Sequence, residues 1–128
     1  MLSENALGKI IVDTAVKLHQ NTGPGLLESV YEVILAQLLT EQGLQVERQV
    51  SVPIHYNGRI FDEGFRADIV VNNMIILELK SVECIQNTHK KQLLTYLRLT
   101  DKKLGFLLNF GEALMKDGIV RIVNGLTE

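Results

Sequence analysis

The run Ile75-Ile76-Leu77-Glu78-Leu79-Lys80-Ser81 reads as a buried strand, yet it carries two charges. Glu78 and Lys80 lie two residues apart, so on a strand they point to the same side, about 6.5–7 Å from one another. Charges on such a face cost free energy unless they are paired, coordinated or solvated. A second β-forming run, Phe65-Arg66-Ala67-Asp68-Ile69-Val70-Val71, precedes it and carries another acid, Asp68. An acid on one strand and Glu-x-Lys on the next can hold a divalent cation against a phosphate. The plainer alternatives are local ion pairs, Glu78 with Lys80 or Arg66 with Asp68.

Register decides whether Asp68 and Glu78 can meet. A two-residue hairpin loop at Asn72-Asn73 would oppose Val71 to Met74 and Asp68 to Leu77, and opposed residues share a face. Asp68 and Glu78 would then lie on opposite faces. A three-residue or bulged connection puts them side by side, and asparagine tolerates the left-handed backbone such loops need. The shared site therefore requires that longer connection.

The rest of the chain supplies helices around these strands. Residues 4–20 place Leu7, Ile10, Ile11, Ala15 and Leu18 at helical spacing, with Ser3 as a cap. Thr22-Gly23-Pro24-Gly25 breaks that helix. A second helix follows with Leu27, Val30, Ile34, Leu35 and Leu38 as its apolar stripe, and Gly43 beyond its end. Residues 45–56 read as a strand, with Pro53 at an edge or bulge. Asn57-Gly58 marks a hairpin. Strands are expected at 59–71 and 74–82, a helix at 86–100, and short strands at 104–109 and 118–123. The order ααβββαββ implies an α/β chain of the α+β type, a mixed central β-sheet flanked by helices.

Composition bounds the function. A chain of 128 residues fits one domain, 1–128, and 46% hydrophobic with 22% charged residues suits a soluble protein. The only cysteine, Cys84, excludes an internal disulfide and a cysteine-rich zinc site, and fits a reducing cytoplasm. No signal peptide or membrane span is evident, so a cytoplasmic protein without a membrane role is expected. A net charge of −2 argues against coating nucleic acid by bulk charge. It leaves room for a nuclease, whose site carboxylates offset its basic residues.

Four sequence blocks carry a resemblance. Asp68, Glu78 and Lys80 resemble the D…(D/E)xK signature of the PD-(D/E)xK nuclease superfamily, although Asp68 follows Ala67 rather than a proline. Gly25-Leu26-Leu27-Glu28-Ser29-Val30-Tyr31 matches the G-x-x-E-x-x-Y string of the GxxExxY family, a small-domain branch of that superfamily. His89-Lys90-Lys91-Gln92-Leu93-Leu94-Thr95-Tyr96 is similar to its H-x-x-Q-x-x-x-Y helix. Leu104-Gly105-Phe106-Leu107-Leu108-Asn109-Phe110-Gly111 is similar to its closing strand. The resemblance implies a restriction-endonuclease-like core and a magnesium- or manganese-dependent hydrolase of nucleic acid, DNA or RNA. It implies Asp68 and Glu78 as metal ligands, with Glu28 as the first acid of the site. Lys80 would orient the metal-activated water, and Gln92 and Tyr96 would contact substrate or the rim of the site.

Each of these residues also has a plainer reading. Glu28 suits a helix start through the helix dipole alone. His89, Gln92 and Tyr96 can form an ordinary polar helix face opposite Leu93, Leu94 and Leu97. His19 reads as a structural partner of the second helix. Lys90, Lys91, Arg98, Lys102 and Lys103 can contact a phosphate backbone or simply face water. The rivals to an enzyme are a nucleic-acid- or protein-binding module that retains the nuclease fold, and a plain structural domain. A small enzyme of this kind would need a homo-oligomer or protein partner to gain substrate-binding surface.

Overall fold

Ser3 starts the first helix by accepting a hydrogen bond from the Ala6 amide at 3.2 Å, the way a serine satisfies a free amide at a helix N-terminus. The coordinates are a computed structural model describing residues 1–127; Glu128, the last residue of the expected domain, lies outside the described residues. Helix α1 spans Glu4–Thr22 and buries Leu7, Ile11, Ala15 and Leu18, as their spacing requires. Helix α2 spans Glu28–Glu41. Its buried side differs from the expected stripe: Tyr31, Glu32, Leu35, Ala36 and Leu39 are inside, while Leu27, Val30 and Val33 are exposed. Tyr31 sets this rotation. Its ring stacks on Phe110 at 4.3 Å, and its hydroxyl donates to the Gly23 carbonyl and accepts from the Leu26 amide. A buried aromatic ring with a satisfied hydroxyl outweighs exposed aliphatic residues on the far side of a helix.

The sheet follows as β1 (Val46–Tyr56), β2 (Arg59–Val71), β3 (Ile75–Lys80), β4 (Leu104–Asn109) and β5 (Ile119–Val123). Helix α3 (Asn87–Thr100) lies between β3 and β4, and a short 3-10 turn, Met115–Gly118, precedes β5. Spatial order equals chain order, and only the β3–β4 pair is parallel. That parallel pair needs a long crossover, which α3 supplies. The result is a mixed five-stranded sheet with helices on both faces, an α+β fold. Strand β1 lies at the edge, and its register slips between Val52 and Ile54, where Pro53 removes an amide. Tyr56 pairs with Arg59 across Asn57-Gly58, and both turn residues have positive φ, 51° and 72°, as a twisted two-residue hairpin demands. The β1–β2 ribbon extends past its pairing with β3 and leaves Tyr56, Ile60 and Phe61 exposed.

Two cores clamp the sheet. Helices α1 and α2 pack on one face over Ile69, Val71, Leu77, Leu79 and Leu108. Leu93, Tyr96 and Leu97 of α3 pack on the other over Val70, Ile76 and Leu107.

The end of β3 is braced by Asn109, which is fully buried. Its Oδ1 accepts from the Val82 and Gly111 amides, both at 3.0 Å, and its Nδ2 donates to the Val82 carbonyl at 2.9 Å. The side chain thus extends the parallel ladder beyond Lys80. Gly111 allows this approach, since a Cβ there would sit 2.4 Å from the Val82 carbonyl oxygen. Removing the amide orphans backbone groups, at about 1–3 kcal/mol for each one buried. Asn109→Ala is therefore expected to lower unfolding stability by about 2 kcal/mol or more, read from urea denaturation.

Candidate functional site

Strands β2 and β3 connect through three residues, Asn72, Asn73 and Met74, with Val71 paired to Ile75. Asn72 and Asn73 adopt φ of 51° and 53°, the left-handed backbone that makes the longer loop feasible. Asp68 is consequently in register with Glu78. The backbone ladder nevertheless stops one step earlier, at Ile69 and Leu77. Beyond it β2 continues with β1 and β3 with β4, so the two strands fork. The carboxylates fill the fork. The Asp68 amide donates to Glu78 Oε2 at 2.7 Å, and the Leu79 amide donates to Asp68 Oδ2 at 2.8 Å.

The disturbance extends to β1. Arg48 pairs with Ile69 and Val50 with Ala67, but no pair forms between Gln49 and Asp68, and Gln49 has a φ of 53°. The inward side of β2 changes here: Ile69 and Val71 belong to the α1–α2 core, whereas Ala67 belongs to the α3 core. Asp68 marks the point where the strand rolls over.

Glu28 is the first residue of α2, and its Oε2 accepts from the Ser81 amide at 3.3 Å, just past Lys80. It is exposed at the edge of the Asp68–Glu78 pair rather than joined to it. Among the described residues no three acids, histidines or cysteines come close enough to hold one ion together. Lys80 is half-buried, and its amine makes no hydrogen bond or ion pair with another described residue. The local ion pairs that sequence allowed are absent: Glu78 does not pair with Lys80, and Arg66 reaches the Gln49 carbonyl at 3.5 Å instead of Asp68.

On α3, Tyr96 departs from the polar face expected for it. It is buried with Leu93 and Leu97, its ring 4.8 Å from that of Phe65. Gln92, one turn earlier, is exposed and has no hydrogen bond to a described residue. His89 closes a capping box at the start of α3, its Nδ1 accepting from the Gln86 amide at 3.1 Å. His19 does not serve α2; its Nε2 lies 3.2 Å from the Phe110 carbonyl and 2.9 Å from that of Glu112.

Sequence reasoning missed Glu32, an acid 5% exposed that bonds to Arg48 and Gln49. A signal was present: Glu32 lies one turn from Glu28, next to the Tyr31–Leu35 face.

Electrostatics couple these groups. Burial pushes the Glu78 carboxyl up to about 8, helped by the neighbouring Asp68 charge and opposed by the Asp68 amide and Lys80. Asp68 is also raised by burial, opposed by the Leu79 amide, with Glu32 and Glu28 adding to the rise. Tyr96 is pushed up to about 12 by burial and by the Glu78 and Asp68 charges, so its phenol keeps its proton. The pair fits a hard divalent cation. Each carboxylate uses one oxygen for a backbone amide, and the other has no protein hydrogen bond among the described residues. Magnesium is commonly held by one or two carboxylates, with waters and phosphate oxygens completing its sphere.

A raised carboxyl means that the folded chain binds this proton more tightly than the unfolded chain. The stability it contributes is full below the ordinary value of 4.5 and is lost as pH rises toward about 8. In chelator, wild-type protein is expected to lose more melting temperature between pH 5 and pH 8 than Glu78→Gln, by about 4 °C or more, read by calorimetry.

Comparison with known proteins bears on the family and the fold. No curated protein and no solved structure matches the chain. The sequence profile of the PD-(D/E)XK nuclease superfamily matches residues 5–122, a span that contains every element from α1 to the end of β5 but for a residue at either end. The mixed sheet with flanking helices is consistent with that superfamily's restriction-endonuclease-like core. By this match the chain belongs to the PD-(D/E)XK nuclease superfamily.

Proposed function

We propose that the chain is a metal-dependent phosphodiesterase that hydrolyses nucleic acid, of the GxxExxY type, acting in the cytoplasm as a single domain. The observation that carries this reading is the Asp68–Glu78 pair at the fork of β2 and β3, with the Lys80 amine, which makes no hydrogen bond or ion pair with another described residue, on β3 beside Glu78. A bound magnesium or manganese ion would supply Lewis acidity toward the phosphate and make a water molecule more acidic. Asp68 and Glu78 would hold it through their free oxygens. Lys80 places a positive charge where negative charge gathers on the phosphoryl group, and its amine can orient the attacking water. Glu28 stands at the rim, fixed by the Ser81 amide, and supports the acidic field. Tyr96 keeps a donor proton beside the pair, and Gln92 offers both donor and acceptor to a substrate. A second copy or a protein partner would widen the surface for the nucleic-acid strand.

A non-catalytic binding module is the second reading. It is favoured by the lack of any three-residue ion-holding group among the described residues.

Single- and double-stranded DNA and RNA, incubated with the protein in magnesium, manganese or chelator, separate the two. Cleavage is expected with metal and none with chelator. Lys80→Ala is expected to lower cleavage at least about hundredfold, the scale of losing one charge-stabilising group. Its melting temperature is expected to shift little, because the amine makes no hydrogen bond or ion pair with another described residue and loses only its Coulomb attraction to the Asp68–Glu78 pair. Metal and nucleic-acid binding without cleavage by the wild-type protein would assign the binding module instead.

A further inference from the structure

The β1–β2 ribbon runs past its pairing with β3 and carries an exposed aromatic side. Val52 and Phe65, opposed in register, belong to the α3 core. Ile54 and Tyr56 follow Val52 at two-residue steps, Phe61 opposes Ile54, and Arg59 opposes Tyr56. These residues therefore share the α3 side of the ribbon. Leu77 and Leu79 belong to the α1–α2 core, so Glu78 and Lys80 project to that same α3 side. Phe61 is seven residues from Asp68 along β2, about 20 Å in strand geometry. Tyr56, Asn57, Arg59 and Phe61 line a hollow of about 370 Å³, enough for a small planar group. Tyr56 is 66% and Phe61 43% exposed. Among the described residues the hollow has one charge, the Arg59 guanidinium, and no acid lines it. Arg59 makes no hydrogen bond or ion pair with another described residue. Two open rings and a free cation match the base faces and phosphates of an unpaired nucleic-acid strand. A second copy of the chain fits less well. The two rings offer about 200 Å², well short of the roughly 800 Å² that a stable dimer buries on each partner. Strand addition at the β1 edge is also opposed, because Pro53 removes an amide and the register slips beside it.

We propose that Tyr56, Phe61 and Arg59 form a platform that holds a single-stranded segment of nucleic acid, along the α3 side of the sheet toward Lys80. The rings stack on bases, and Arg59 meets a phosphate. This inference rests on the nucleic-acid reading above and narrows its substrate, but it is measured by binding rather than by cleavage.

Fluorescence anisotropy of labelled single-stranded DNA and RNA, long enough to span the platform and Lys80, gives the affinity in chelator. Tyr56→Ala and Phe61→Ala are each expected to weaken binding about tenfold, the scale of one lost base stack. Neither should alter its salt dependence. Arg59→Gln should flatten the slope of log affinity against log salt by about 0.7, one phosphate contact on a single strand. Tyr56→Trp, with a larger ring, should bind at least as tightly as wild type. Ile60→Ala, on the opposite side of the ribbon, should bind as wild type does. Wild-type affinity in both Tyr56→Ala and Phe61→Ala, or an equal loss in Ile60→Ala, overturns the inference. Tighter binding of a duplex than of a single strand also overturns it. A wild-type dimer in sedimentation that dissociates in Tyr56→Ala assigns the rings to a second copy and overturns it too. Cleavage by wild type with metal, beside unchanged affinity in the ring variants, overturns this inference alone. Ring-dependent binding of a single strand, without cleavage in metal, upholds it and overturns the hydrolytic reading.

Discussion

Two crossed hydrogen bonds at the fork of β2 and β3 hold the rest of the site in place. Where the ladder ends, each strand still presents an amide that needs an acceptor. Asp68 and Glu78 supply those acceptors to one another's strands, so the acids are locked by the backbone they serve. The arrangement also forces two carboxyls into a partly buried space, which is why both hold their protons more tightly than usual. Structure and chemistry are thus one device: the groups that finish the sheet are the groups whose charge is hardest to keep without a cation.

The fork depends on supports farther away. Strand β3 can leave β2 because β4 continues to pair with it as far as Lys80 and Asn109, and the Asn109 side chain carries the pairing on to Val82. Phe110, the next residue, stacks on Tyr31, whose hydroxyl ties down the Gly23–Leu26 turn. That chain of contacts sets where α2 begins and brings Glu28 to Ser81. Residues that read in sequence as motif signatures thereby acquire separate jobs. Tyr31 and Asn109 brace, while Glu28 is exposed and Lys80 half-buried beside the pair.

Much of the site was legible because strand geometry is strict. A period of two residues places Glu78 and Lys80 together, and a one-residue change in a loop decides the partner of Asp68. Three-dimensional context overruled the helical readings. On α2 the apolar residues were too evenly spread for their pattern to select a face, and the stack with Phe110 selected it. On α3 Tyr96 looked polar by its neighbours Gln92 and His89, but its ring fits beside Phe65 in the core. Glu32 escaped notice because its partners, Arg48 and Gln49, lie on another element.

The sequence by itself determined the order of elements and the side on which Glu78 and Lys80 project, since both are local consequences of spacing and backbone preference; it left the connection at Asn72-Asn73 as a two-residue, three-residue or bulged loop, which the pairing of Val71 with Ile75 decided. Only the tertiary structure decided that Asp68 and Glu78 would bond across the fork, that Glu28 would stand apart at the rim, and that Glu32 would be buried against Arg48. Those outcomes depend on which strands stay paired and which part, and such contacts join residues far apart in the chain.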